Sequence, residues 1–201
     1  MMSTSPMAID TNRGDREKRR AAVLAAAAEI VRESGCEALS MRNVAARAGV
    51  SAGATYQWFQ GKDEILCQLY VDRLEIGLAR IEALPPGMGL EELIHQIFVW
   101  HRPLWRDLGA WAIDFVDATP PDESHVVNLL AARDNLLAAG LTSIREAAAN
   151  SGARITDSHH LGPHIWATAT VTAQRADLLP ADEASEYTAF VARTFTKGIT
   201  E

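Results

Sequence analysis

The sequence predicts an all-α fold, and three observations lead to that prediction. Apolar residues recur at helical spacing over long segments, and Gly and Pro residues separate these segments from one another. No set of segments shows the alternating pattern of paired strands. About nine helices are expected, three in a small N-terminal part and six in a larger body. A length of 201 residues suits one domain or two small ones.

The N-terminal part should hold three helices. Residues 1–14 are polar and aperiodic, which predicts a flexible arm. A helix follows over residues 15–34, and Gly35 ends it. Ser40 is placed to cap a short helix that extends to Ala48. A second short helix is expected over residues 51–59.

The body should begin with a long helix that opens at Lys62. Pro85, Pro86 and two glycines stop that helix, and Pro103 must kink the next one or end it early. This next helix is apolar on most sides, which predicts a central position. The six helices of the body are expected over residues 62–84, 90–106, 107–118, 124–150, 162–178 and 182–197. The predicted organisation is therefore an arm (1–14), a helix-turn-helix domain (15–61) and a body (62–201).

The charge is distributed unevenly along the chain. Its 19 basic and 26 acidic residues give a net charge of −7, and such an average argues against nucleic-acid binding. Residues 1–62, however, carry nine basic and six acidic residues, a net charge of +3, which leaves −10 for residues 63–201. This asymmetry predicts a basic module joined to an acidic body.

Several classes of protein are disfavoured by the sequence. No apolar run is long enough to span a membrane, and no signal peptide is visible, so a cytoplasmic location is expected. Cys36 and Cys67 are too few for a disulfide scaffold. None of the common phosphate-binding, dinucleotide-binding, hydrolase or zinc-protease motifs occurs. We therefore expect no enzyme activity, no cofactor and no metal.

The most informative segment is LSMRNVAARAGVSAGATYQWFQGKDEIL, residues 39–66. Two short helices joined by a turn with a glycine form a helix-turn-helix. Val44 and Ala45 allow close packing of the helices, and Gly49 permits the tight turn. Ser51 is placed to cap the second helix and to offer a hydroxyl to phosphate.

This segment resembles the N-terminal signature of the TetR family of bacterial regulators. The residues that carry the resemblance are Val44, Ala45, Ala48, Gly49, Val50, Ser51, Gly53, Tyr56, Phe59 and Lys62. The resemblance covers about residues 16–70. It implies a homodimer, with one three-helix DNA-binding head per subunit, that binds a pseudo-palindromic operator in double-stranded DNA.

The resemblance also implies roles for single residues. Contacts to phosphate or sugar are expected from Ser40, Arg42, Ser51, Gly53, Tyr56, Trp58 and Lys62. Gln57, and Arg42 as a second candidate, would contact base edges. Phe59 is expected mainly in the core, whereas Tyr56 fits core and DNA contact equally. Thr55 replaces a larger aliphatic residue, which predicts a less completely filled core.

The aromatic residues of the body predict a ligand cavity, again through the resemblance. The candidate ligand-binding residues are Trp100, His101, Trp105, Trp111, Asp114, Phe115, Arg133, His164 and Trp166. The alternative, that these aromatic residues only pack the core, stays open. The last two helices combine a surface of small residues with bulky ones, and we expect the homodimer to form through them.

The sequence therefore favours a ligand-responsive repressor released from its operator by a small apolar or aromatic effector. The helix that opens at Lys62 would connect head and body. A small all-α metal-binding protein or enzyme using His101, His160 and His164 is the alternative. A DNA-binding architectural protein without an effector is a third hypothesis.

Overall fold

The computed structural model describes residues 8–120, 122–156 and 159–201. Its helices, in chain order, are α1 (Ala8–Ser34), α2 (Met41–Ala48), α3 (Ala52–Thr55), α4 (Lys62–Glu82), α5 (Leu90–Leu104), α6 (Ala110–Ala118), α7 (Ser124–Asn150), α8 (Leu161–Ala176) and α9 (Ala181–Ile199). Within these residues the only β-type pairing is an isolated bridge between Ile155 and Thr200. The predicted all-α class is confirmed.

The start of α1 differs from its prediction. The helix begins at Ala8, so residues 8–14 are helical and not part of a flexible arm. The remainder of the predicted arm, residues 1–7, lies outside the described residues. A polar segment without proline can extend a solvated helix even though it has no apolar stripe. Gly14 costs such a helix only about 1 kcal/mol relative to alanine.

The chain divides into two compact units, the first ending at Leu69 and the second spanning Tyr70–Glu201. The boundary thus lies inside α4, whereas the sequence placed it before Lys62. The first turns of α4 explain the shift, because Ile65 and Leu66 are fully buried there. These two side chains belong to the apolar core of the first unit.

The first unit is held together by the packing of α1 on α2. Apolar side chains at helical spacing on α1 are buried together with Val44 and Ala45 of α2. Polar contacts at the edges add to this packing. The Arg20 guanidinium lies 5.0 Å from the centre of the Phe59 ring, and it donates to Gln68 Oε1 at 3.1 Å. Arg47 pairs with Glu33 at 2.7 Å.

The second unit is built around α5, which packs against α7, α8 and α9. Phe98 of α5 is buried and meets the Phe195 ring edge-on, with ring centres 5.8 Å apart. Arg102 ties the end of α5 to the end of α8, since its Nε donates to Asp177 Oδ1 at 2.7 Å. The predicted central position of this helix is therefore observed, although Val99 faces solvent.

Pro103 lies inside α5, one residue before its end. The helix continues through Leu104 and then widens into a π-helical turn over Trp105–Gly109, which leads directly into α6. Such a wide turn accommodates a break in the regular hydrogen-bond ladder. Glycine is needed at position 109, because a Cβ there would lie 2.3 Å from the Trp105 ring.

Candidate nucleic-acid interface and a cavity in the second unit

The start of α2 is fixed by a capping box. The Ser40 Oγ accepts from the Asn43 N–H at 3.2 Å, and Asn43 Oδ1 accepts from the Ser40 N–H at 2.8 Å. Reciprocal bonds of this kind satisfy two backbone donors that a helix start leaves free. They fix the direction of α2 and thereby the position of Arg42 on its first turn.

Gly49 forms the turn of the helix-turn-helix. Its φ angle of 68° is in the left-handed region, where a side chain is strained and glycine is not. The Val50 N–H then donates to the Ala45 carbonyl at 3.1 Å, which closes the end of α2. The turn predicted from the sequence is present at this residue.

The second helix of the motif is shorter than predicted. The α-helical part spans Ala52–Thr55, and a turn continues to Trp58, whereas the sequence predicted a helix to Phe59. The N–H groups of Gln57 and Trp58 donate to carbonyls three residues back, which tightens the chain. Gly53 and the β-branched Thr55 favour the helix weakly, which explains its early end.

Thr55 shows how a small core accepts a polar residue. Its side chain is completely buried, and its Oγ1 donates to the Ala52 carbonyl at 2.6 Å. The hydroxyl is thus satisfied within the helix itself, so its burial carries little penalty. Phe59 is 1% exposed, in agreement with its expected core position.

Most of the residues predicted to contact DNA are exposed. The exposed ones are Ser40, Arg42, Ser51, Gly53, Tyr56 and Gln57, and the half-buried ones are Trp58 and Lys62. Tyr56, which the sequence left undecided, exposes 58% of its surface. Ser40 and Ser51 accept backbone bonds as helix caps, so each hydroxyl proton is left to donate to a phosphate oxygen.

Two of the predicted contacts have surroundings that the sequence did not reveal. The Trp58 Nε1 is buried without an acceptor among the described residues, so the indole N–H does not point outward. Beside Lys62, the Glu64 carboxylate accepts from the Gln60 N–H at 2.6 Å. A carboxylate therefore already occupies the start of α4, and attraction for phosphate there depends on the Lys62 ammonium.

The basic residues of the first unit fall into two groups. Arg47 and Arg20 are engaged in contacts that hold the unit together. Arg42, in contrast, is exposed and has no ion pair within the described part of the chain. The exposed positive charge of the unit is shared between the helix-turn-helix and α1, which also carries the exposed residues Arg16, Lys18, Arg19 and Arg32.

The second unit contains an apolar cavity of about 80 Å³. Helices α4, α5, α7 and α8 line it with Arg73, Gly77, Ile81, Ile97, Trp100, His101, Leu104, Leu136, Leu137, Gly140, Leu141, Ile144, Ile165, Trp166 and Ala169. Glycines at positions 77 and 140 leave room where other residues would fill it. A Cβ on Gly140 would have no atom within 4 Å, whereas one on Gly77 would touch Leu136 at 3.3 Å.

Three of the nine predicted ligand-binding residues, Trp100, His101 and Trp166, line this cavity. The other six lie elsewhere in the same unit. Trp105 covers Gly109, and Trp111 stacks on Phe115 with ring centres 4.8 Å apart. Asp114 is exposed. Arg133 donates to the adjacent Asp134 at 3.0 Å, and His164 stacks on Phe195 at 5.2 Å.

Sequence reasoning missed Arg73, Gly77 and Gly140, all of which line the cavity. The two glycines carried a signal, because glycine inside a helix costs about 1 kcal/mol relative to alanine and calls for a structural reason. Nothing in the sequence pointed to Arg73 as a cavity residue, since single arginines are common on amphipathic helices.

His101 is the buried polar group of the cavity. Its Nε2 lies 3.0 Å from the Thr170 Oγ1, and its ring meets the Trp166 ring edge-on at 4.9 Å. Burial lowers the pKa of His101 from 6.5 to about 4. At neutral pH it is therefore an uncharged ring that offers directional hydrogen bonds.

The alternative of a metal site using His101, His160 and His164 gains no support. Among the described residues, no three His, Cys, Asp or Glu side chains are close enough to hold a metal ion. His160 meets the ring of His159, and His164 stacks on Phe195. Burial, with the charges of Asp63 and Glu64, raises the pKa of the Cys67 thiol to about 12, so this thiol is not a reactive thiolate.

The first unit is thus a helix-turn-helix DNA-binding domain, and the second is a helical body with a cavity. Residues 23–69 match the family model described as bacterial regulatory proteins, tetR family. The match spans the helix-turn-helix and parts of the helices on either side of it, so this part of the chain is similar to the DNA-binding domain of that family. A comparison with curated proteins gives no match.

Solved structures of regulators share the fold. A TetR/AcrR-family regulator from Thermobifida fusca is 23% identical, with a TM-score of 0.66 over 87% of this chain and 96% of that one. A transcriptional regulator from Rhodococcus sp. RHA1 is 20% identical, with a TM-score of 0.69 over 90% and 97%. The regulator FadR from Bacillus subtilis, solved in complex with stearoyl-CoA, is 17% identical, with a TM-score of 0.66 over 89% and 98%.

Within the described residues, no helix combines the length and the apolar character needed to cross a membrane.

The buried neutral His101 predicts a loss of stability in mild acid. The unfolded chain takes up a proton at this residue below pH 6.5, whereas the folded chain does so only near pH 4. Stability from this source is complete above pH 6.5 and falls by about 3 kcal/mol as the pH approaches 4. Urea unfolding at several pH values gives the free energy of unfolding as a function of pH. In His101→Gln this free energy should change less between pH 6.5 and 4 than it does in the wild type.

The matched control is His95→Gln, which removes a half-buried histidine from the same helix and should keep the wild-type dependence. An equal pH dependence in wild type and His101→Gln would contradict the prediction.

Proposed function

We propose that this chain is a TetR-type transcriptional repressor that binds a pseudo-palindromic operator as a homodimer and leaves it when a small apolar or aromatic effector occupies the cavity. The observation that carries the proposal is the apolar cavity of the second unit, with its single buried histidine. Pockets of this kind, apolar with a few polar groups, are typical ligand sites.

On the DNA side, α3 would enter the major groove with Ser51 and Tyr56 at the phosphates. Three of its exposed or half-exposed residues, Ala52, Gly53 and Ala54, offer no polar side chain to a base. Base recognition therefore depends on Gln57 and Arg42, with apolar contacts to thymine and with DNA shape. Gln57 is suited to adenine, which presents an acceptor and a donor side by side.

The dimer would form through α8 and α9. Large apolar side chains stand exposed on or next to these helices: Val171 at 60%, Leu178 at 73% and Phe190 at 57%. Burial of such side chains in an interface would be favourable, because it removes their apolar surface from water. Pairing of this region with its copy would relate the two DNA-binding heads by a two-fold axis, as a pseudo-palindrome requires.

The effector would act through α4, the helix that begins in one unit and ends in the other. Lys62 stands at its first residue, and Gly77 and Ile81 line the cavity near its last turns. An effector that fits a displaced α4 better than the resting one shifts the population toward the displaced state. A head spacing that no longer fits the operator lowers affinity by about 5- to 150-fold, the usual range of allosteric coupling.

A DNA-binding architectural protein without an effector is the second candidate. It would have no use for a cavity lined by two tryptophans and a buried histidine, in which glycines preserve the empty space. The cavity therefore favours the effector-responsive regulator.

Gln57→Ala tests base recognition. With DNA upstream of the chain's own gene, in fluorescence anisotropy, it should cost about 1–3 kcal/mol and relax the preference at one operator position. Gln60→Ala, which alters an exposed glutamine just after the motif, is the matched control and should bind as the wild type does. Absence of any sequence preference in the wild type would overturn the proposed function.

Lys62→Ala tests the phosphate contact. It should weaken binding to all sequences alike and reduce the slope of log affinity against log salt by about 1 per head, because one fewer counterion is released. Lys197→Ala, near the end of α9, should leave both affinity and slope unchanged. A slope equal to that of the wild type would exclude Lys62 as a phosphate contact.

Phe190→Asp tests the dimer surface. A charge placed in an apolar interface stays unpaired and desolvated, so light scattering after size exclusion should show a monomer. Val127→Asp changes an apolar residue on α7 that is also exposed, at 47%, and should remain a dimer. If Phe190→Asp remains dimeric and the wild type is a dimer, the interface lies elsewhere.

A further inference from the structure

Arg73 is the charged residue of the cavity lining. Its one ion contact within the described residues joins Nη2 to Asp107 Oδ2 at 3.6 Å, too long for a hydrogen bond. Arg106 already donates to the other oxygen of the same carboxylate, from Nε to Oδ1 at 3.0 Å. Two guanidinium groups thus share one carboxylate, and the partly exposed Arg73 group is held beside it by charge, without a direct hydrogen bond to it.

This arrangement differs from the other arginine pairs of the same unit. Arg102 meets Asp177 at 2.7 Å and the Ala176 carbonyl at 3.1 Å, which are full hydrogen bonds that hold two helices together. The Asp107 side chain is only 9% exposed, and the Arg73 side chain is 41% exposed. A guanidinium of this kind can turn toward an incoming carboxylate and bind it through two parallel hydrogen bonds.

The rest of the cavity accepts a ring but no second charge. Trp100, Trp166 and leucines form its walls, and His101 is uncharged at neutral pH. Its volume of about 80 Å³ is roughly half of the ~150 Å³ at which an engineered apolar cavity binds benzene. To admit a single ring, half-buried lining side chains such as Leu136 and Leu137 would have to change rotamer.

A long acyl chain needs far more space than this. On the side of α4, the Leu136 side chain fills the space beside Gly77, and a Cβ on Gly77 would lie 3.3 Å from it. A rotamer change of Leu136 makes room for a ring, whereas a long acyl chain would displace several lining side chains at once, at the cost of their packing.

We propose that the cavity binds a small aromatic carboxylate, with its ring between Trp100 and Trp166 and its carboxylate on Arg73. This inference rests on the proposed function, since it names the chemical class of the effector. The nitrogen of His101 that does not face Thr170, Nδ1, has no partner among the described residues and is available for a polar substituent on the ring.

The experiment measures binding to the full chain by ligand-observed NMR and calorimetry, with benzoate, benzyl alcohol and dodecanoate as probes. Benzoate should bind at least about tenfold more tightly than benzyl alcohol, because a hydrogen bond to a charged group outweighs a neutral one. Arg73→Gln should remove that advantage and leave benzyl alcohol unaffected. Arg145→Gln, an exposed arginine on α7, is the matched control and should retain it.

Gly140→Leu shows whether the probes enter the cavity. The added side chain projects into empty space beside Gly140, so it should block both ring-containing probes without disturbing the fold. Gly140→Ala makes the same helix more stable while adding only one methyl group, and it should still bind benzoate. Benzoate binding that survives Gly140→Leu would place the probe elsewhere and overturn the proposal.

Two further results would overturn the assignment of ligand class: equal affinity for benzoate and benzyl alcohol, or tight binding of dodecanoate without binding of benzoate.

The operator assay separates this assignment from the proposed function. If benzoate binds through Arg73 but leaves operator affinity unchanged, the ligand class stands and the effector role fails. If benzoate both binds and lowers operator affinity at least about fivefold, both stand.

Discussion

The second unit depends on the packing of α5 among α7, α8 and α9. Phe98 and Ile94 are buried there, and the edge-on contact of Phe98 with Phe195 joins α5 to α9. This close packing holds α5 in place. After Pro103 the chain passes through the π-helical turn over Trp105–Gly109 and continues directly into α6. The unit thereby has one rigid wall, and the cavity opens between that wall and α4 and α7, where glycines and rotatable leucines take the place of dense packing.

In the first unit, the ends of the short helices α2 and α3 are fixed by caps in addition to the packing of the small core. Ser40 with Asn43, Gly49 and Ser51 each fix one end of a short helix. A helix of four residues has no stability of its own, so the position of α3 is set by its cap and by the burial of Thr55 and Phe59. The same serine oxygens that accept the caps stand on the surface that faces DNA in the proposed complex, so stability and recognition share these groups.

The sequence predicted those elements that are determined locally. Gly35, Ser40 and Gly49 set the ends of helices through their own backbone preferences, and the structure places the ends there. The start of α1 and the end of α3 were wrong, because polar residues that tolerate a helix carry no sharp boundary signal. The sequence predicted that the body holds a cavity with aromatic residues, but it did not predict which of the aromatic residues line it. Trp111 and Trp105 look as suitable as Trp100 and Trp166 in sequence, and only the tertiary packing separates them. The space beside Gly140 exists because of what its neighbours on other helices do not fill.

Because α3 is so short, a single DNA-binding head can specify few base pairs. A reading segment that presents two alanines and a glycine, followed by one glutamine, specifies few base pairs through hydrogen bonds. Many sequences then bind one head almost equally well, and a genome contains them by chance in large numbers. In the proposed complex, discrimination would then come from the local stiffness and groove width of the DNA and from the joint occupancy of two half-sites. On that model, a base-pair change within one half-site would cost the proposed dimer less affinity than a change in the spacing between the half-sites.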